Sequence, residues 1–117
     1  MPYYSFENLD VWKRSCRIAE KVYKSLADCR DWGLKDQMTR SAVSIASNIA
    51  EGSERGSKPE FSRFLNIAKG SAAELRTQVY IAYRVNLISR ENYQELVEEL
   101  KQISKMIYSL INSIKKT

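Results

Sequence analysis

An all-α fold, an antiparallel up-down-up-down four-helix bundle forming one domain over residues 1–117, is what this chain predicts. Apolar side chains recur at the helical period in four long segments. Compact turn signals separate those segments, and the helix breakers are scarce, with only four Gly and two Pro. An apolar fraction of 44% in 117 residues suits a single hydrophobic core and excludes disorder.

The first segment, Leu9 to Ala27, places Val11, Trp12, Ile18, Ala19, Val22, Tyr23 and Leu26 on one face. Lys13, Arg14, Arg17, Lys21 and Lys24 fall on the other within an arc of about 100°. Such a stripe is either the wet side of an amphipathic helix or a surface for a polyanion. The loop "DCRDWG" follows, with Gly33 read as a break and Trp32 as an apolar lid.

The second segment, Leu34 to Glu54, buries Met38, Ser41, Ala42, Ile45, Ala46 and Ile49 and turns Asp36, Arg40, Ser44, Ser47 and Glu51 outward. From Ser41 to Ala50 it carries no charge. Ala42, Ala46 and Ala50 form a row that admits a close neighbouring backbone, while Ser41, Ser44 and Ser47 can return hydroxyls to helix carbonyls. A helix face so poor in Lys and Glu predicts cover from a second source, such as another subunit.

In "GSERGSKPE", Gly52 and Gly56 supply the turn, and Ser57 with Glu60 reads as a capping box with Pro59 in the first helical turn. The third segment, Lys58 to Val85, sets Phe61, Phe64, Leu65, Ala68, Ala72, Leu75, Val79 and Tyr83 toward the core. A second row of Gly70, Ala73, Thr77 and Ile81 stands apart from it. Mid-helix Gly costs about 1 kcal/mol against Ala, so Gly70 asks for a packing reason, which a subunit contact would supply. Ser44, Ser47, Gly70, Ala73, Thr77 and Ile81 are the candidate interface.

Asn86 is a left-handed helix stop and Ser89 the next cap. The fourth segment, Arg90 to Lys116, buries Tyr93, Leu96, Val97, Leu100, Ile103, Ile107, Leu110, Ile111 and Ile114. Two helices of about 26 residues, roughly 39 Å each, joined by so short a turn run antiparallel.

Chemistry is narrowed by what is missing. With no histidine, Ser-His and Cys-His nucleophiles and mixed His/Cys zinc sites drop out. Glu91, Glu95, Glu98 and Glu99 read as a solvated acidic patch favoured by the helix dipole rather than as catalysts. No enzyme, cofactor or metal is expected. Cys16 and Cys29 are expected as thiols. No run of about 18 apolar residues is present and the first ten residues lack a signal-peptide core, so a cytoplasmic protein without a membrane partner is expected.

The blocks "FENLDVWKRSCRIAEKVY", "GLKDQMTRSAVSIASNIAEGSERGSKPEFSRFLNIAKGSAAELRTQV" and "LKQISKMIYSLINSI" resemble the bacterial four-helix-bundle proteins encoded in intervening sequences of 23S ribosomal RNA genes. The match is densest from Arg40 to Gln78, and Ala46 departs from it where many members carry Pro. The resemblance implies a barrel-like homopentamer without enzymatic activity. It also implies a likeness to the accessory protein of diversity-generating retroelements, which contacts nucleic acid through a basic surface.

Charge is compatible with that, at 19 Lys plus Arg against 14 Asp plus Glu, net +5. Sequence-tolerant phosphate contact to RNA or DNA is therefore expected at Lys13, Arg14, Arg17, Lys21 and Lys24, with Arg63, Lys69, Arg76 and Arg84 as further candidates. Arg40 and Arg63 could instead pair with Glu51, Glu60 or Glu74, and Tyr80 and Tyr83 could stack on bases, although Tyr83 on the core face reads rather as packing. The alternative is a scaffold or accessory subunit that recruits a protein partner such as a reverse transcriptase.

Overall fold

A computed structural model describes residues 5–116; Met1 to Tyr4, the start of the segment read as lacking a signal-peptide core, and Thr117 lie outside the described residues. A short 3-10 turn, Phe6–Asn8, precedes four helices: α1 Asp10–Ser25, α2 Trp32–Glu54, α3 Lys58–Arg84 and α4 Arg90–Lys116. No strand is present among the described residues. The helices form a rod 49 × 20 × 19 Å. One core draws on all four, with Ile18, Met38, Ile45, Ile49, Leu65, Leu75, Leu100, Ile103 and Ile107 fully buried.

The expected starts and stops hold at most ends. Ser57 accepts from the Glu60 amide at 3.3 Å, with Pro59 in the first turn. The other half of the capping box is replaced: the Glu60 carboxylate takes the Arg63 Nε at 2.7 Å. Asn86 adopts φ 63°. The Leu87 amide reaches back to the Ala82 carbonyl at 2.8 Å and the Asn86 amide to Tyr83 at 3.1 Å, a Schellman closure of α3. Ser89 accepts from the Asn92 amide at 3.0 Å to open α4.

Several expectations need correction. α2 begins at Trp32, because Asp31 accepts from the Leu34 amide at 3.1 Å, so Gly33 lies inside the first turn and breaks nothing. Trp32 is no lid: it is 68% exposed, with the Lys35 ammonium 5.1 Å above its ring. Tyr23, read as core, is exposed. α2 runs through Gly52 to Glu54, and the left-handed turn falls at Gly56 alone, φ 83°.

The uncharged stretch of α2 is largely accounted for inside the chain. Ser41, Ala42, Ile45, Ala46 and Ile49 are buried, and only Val43 and Ser47 of the run are exposed. α2 is packed between α1 and α3, which supply the cover that the sequence assigned to another subunit. Two of the serines bridge helices rather than bonding back: Ser41 donates to Glu74 Oε1 at 2.7 Å, and the Ser44 and Ser71 hydroxyls lie 2.9 Å apart. At the far end of the same hairpin a Cβ on Gly52 would stand 2.6 Å from Phe64 Cβ, so α2 and α3 touch there only because Gly52 has no side chain.

Candidate nucleic-acid interface

The basic stripe of α1 divides. Arg14 turns into the α1–α4 seam and donates through Nε and Nη2 to both carboxylate oxygens of Glu99, at 2.8 and 2.9 Å. That fork is the strong, bidentate form of an ion pair. Hydrogen bonding from Arg14 holds the Glu99 carboxyl below the usual carboxylate range, and the same bond raises the Arg14 guanidinium. Lys21 pairs with Glu95 at 2.7 Å. Two of the five cations thus fasten α1 to α4. Lys13, Arg17 and Lys24 are exposed and form no ion pair among the described residues. Of the acidic patch, Glu95 and Glu99 are these partners.

Along α3 the candidates separate in the same way. Arg63 is bound to Glu60, and with Arg55 it lies against the Phe64 ring, the guanidinium carbons 4.5 and 4.8 Å from its centroid. Arg40 pairs with Asp36 at 2.9 Å, not with the carboxylates considered for it. Lys69, Arg76 and Arg84 form no ion pair among the described residues. Instead they keep company with tyrosines. Lys69 Nζ stands 5.3 Å from the Tyr108 ring, and Arg84 donates to the Tyr80 hydroxyl at 3.0 Å with its guanidinium over that ring. Arg76 lines a groove of about 530 Å³ between α3 and α4 with Ala73, Thr77, Tyr80, Tyr93, Val97 and Lys101.

Tyr93 is the hub of this seam. It stacks on Tyr83 at 4.5 Å, the planes only 10° apart, and meets Tyr80 tilted at 6.2 Å. Tyr83 and Tyr93 are half-buried, whereas Tyr80 is 46% exposed and offers open ring surface.

The candidate interface residues occupy the outer side of α3 and α2. Gly70, Ala73, Thr77 and Ile81 are exposed, as is Ser47, and Ser44 is held half-buried in the α2–α3 seam by Ser71 and Asn48. A Cβ on Gly70 would meet nothing within 4 Å, so no contact inside the chain requires glycine there. Ile67, Ile81, Val85 and Val43 add exposed apolar side chains to this side. Beside Ile81, Gln78 is buried, and its Oε1 has no hydrogen-bond partner among the described residues. It lines a groove with Gln37, Arg40, Glu74, Thr77 and Ile81.

Among the described residues no three His, Cys, Asp or Glu gather in a way that could hold a metal, and no helix is long and apolar enough to cross a membrane. Cys16 and Cys29 are free thiols, and burial pushes the Cys16 thiol up, away from the reactive thiolate.

Two comparisons bear on this arrangement. A crystal structure of a protein with unknown function from the S23 ribosomal protein family, from Bacteroides thetaiotaomicron VPI-5482, is 30% identical. It superposes with a TM-score of 0.81 over 86% of this chain and 97% of its own. The family model for the 23S rRNA-intervening sequence protein matches residues 7–109. The chain belongs to that family. No curated protein matches it.

For this intervening-sequence protein, the seam residues that sequence reasoning missed are Lys101, Lys105 and Tyr108 of α4. Lys105 and Tyr108 line a surface depression with Lys69, and Lys101 faces Arg76 across the groove. Their signal lay in the antiparallel register that the short α3–α4 turn imposes, which brings the end of α4 beside the start of α3.

Proposed function

We propose that this member of the family is a non-enzymatic, self-associating protein that binds RNA or DNA through phosphate contacts with little sequence preference. The observation that carries the reading is the set of cations Lys69, Arg76 and Arg84 on one flank of α3, none neutralised by a carboxylate among the described residues. Lys13, Arg17 and Lys24 extend the available charge along α1. A net +5 is modest for one chain, but a pentamer would gather roughly +25 on one particle. The test is a titration of labelled RNA and DNA at rising salt. Affinity should fall linearly on logarithmic axes, with a slope of about −0.7 to −0.9 per phosphate neutralised. Absence of binding at low salt, or binding indifferent to salt, rejects the reading.

The exposed apolar side chains Val43, Ile67, Ile81 and Val85 favour a second reading, a scaffold or accessory subunit that also docks a protein such as a polymerase. Recovery of one defined protein on the immobilised chain after nuclease treatment, lost on Ile81→Lys, is the result that reading expects.

A further inference from the structure

The α3–α4 seam differs from the other basic surfaces in alternating cations with tyrosines. Arg84 and Tyr80 stand at one end, Tyr93 beside them, Arg76 and Lys101 in the middle, and Lys69, Lys105 and Tyr108 at the other end. Lys69 and Arg84 are fifteen residues apart on one helix, on the order of 22 Å. We propose that this seam is a track for single-stranded nucleic acid, with phosphates on Arg76 and Lys101 and bases stacking on Tyr80 and Tyr108 in place of the Arg84 and Lys69 side chains that lie over those rings. The inference rests on the nucleic-acid reading above and narrows it to one strand form and one surface.

Two features favour a single strand over a duplex. A base can lie on Tyr80 only if it is unpaired and splayed from its neighbours, since a duplex presents sugar and phosphate outward and keeps its ring faces internal. Tyr80 is also pre-set: Tyr93, fixed by its stack on Tyr83, supports one side, and Arg84 holds the hydroxyl at 3.0 Å. At the other end, Lys69 Nζ lies 5.3 Å from the Tyr108 ring centroid.

Ala73 and Thr77 line the seam groove and also belong to the candidate subunit contact, so the two surfaces adjoin along α3. The seam therefore requires that self-association leave the α4 side of α3 open.

The experiment compares a labelled twelve-nucleotide oligo(U) or oligo(dT) with a twelve-base-pair duplex, at low salt, on wild type, Tyr80→Ala, Tyr80→Phe and Arg76→Gln. The single strand should bind more tightly. Tyr80→Ala should weaken it by at least about fivefold, as loss of one stacked base does, with duplex binding within twofold and Tyr80→Phe close to wild type. Arg76→Gln should weaken strand binding and lower its salt slope by about one phosphate. Equal binding of strand and duplex that Tyr80→Ala leaves untouched overturns the track and keeps the broader reading. No binding of either nucleic acid overturns both. Tyr80 is half in water, and an unchanged circular dichroism melt shows that its variants fold.

Discussion

Single residues set the tightest tolerances. Gly52 is the clearest: a methyl group there would press to 2.6 Å on Phe64 Cβ and 3.2 Å on the Phe61 ring. Both obstacles stand on the facing helix, so relief requires α2 and α3 to part. Gly52→Ala should lower stability by about 1–3 kcal/mol in urea unfolding, the usual cost of overpacking, although Ala is the better helix former. The sequence pointed to Gly52 but for another reason, as a turn residue. Two glycines within "EGSERG" look alike to a chain reader, and only the positions of Phe64 Cβ and the Phe61 ring show that one is a contact, while its backbone shows the other, Gly56, to be a left-handed turn.

At the scale of elements, the bundle is held by apolar stripes whose positions followed from period alone. The inner faces of α2 and α4 were legible, because periodicity encodes which side of a helix faces inward, although Tyr93, Val97, Leu110 and Ile114 of α4 are half-buried and Thr39 and Gly52 join the buried face of α2. What periodicity does not encode is which element an outward side chain meets. The α1 stripe looked uniform, yet Arg14 and Lys21 face α4 and clamp Glu99 and Glu95. Glu99 sits below its unfolded value, so the stability it contributes is present above that value and is lost as pH falls through its folded one. Glu99→Gln should therefore flatten the acid limb of a stability profile below about pH 4.5, by about 1 kcal/mol given the partial exposure of the pair. An acid limb identical to wild type would show that the fork carries no net energy.

The whole molecule presents one side whose composition its own packing does not explain. Gly70 lies mid-helix with open space around it, amid exposed Ile67, Ile81 and Val85. Gly70→Leu makes the two explanations diverge. On an isolated chain it should leave folding intact or raise stability by up to about 1 kcal/mol, since any ordinary residue exceeds Gly in helix propensity. If copies meet at this row, the same substitution should shift sedimentation toward the monomer while the melt holds. A particle of unchanged size would place the contact elsewhere. The alanine row, by contrast, points inward in a single chain, so small residues told of close packing without telling which backbone was close.

The amide oxygen of Gln78 gives that side a preference of its own. That Oε1 is buried without a hydrogen-bond partner among the described residues, and a partner that shifted the side chain and donated an N–H or O–H to it would regain on the order of 1–3 kcal/mol. Greasy surfaces that stick by area alone would leave that oxygen as it is, and discrimination between visitors would reside in a single missing hydrogen.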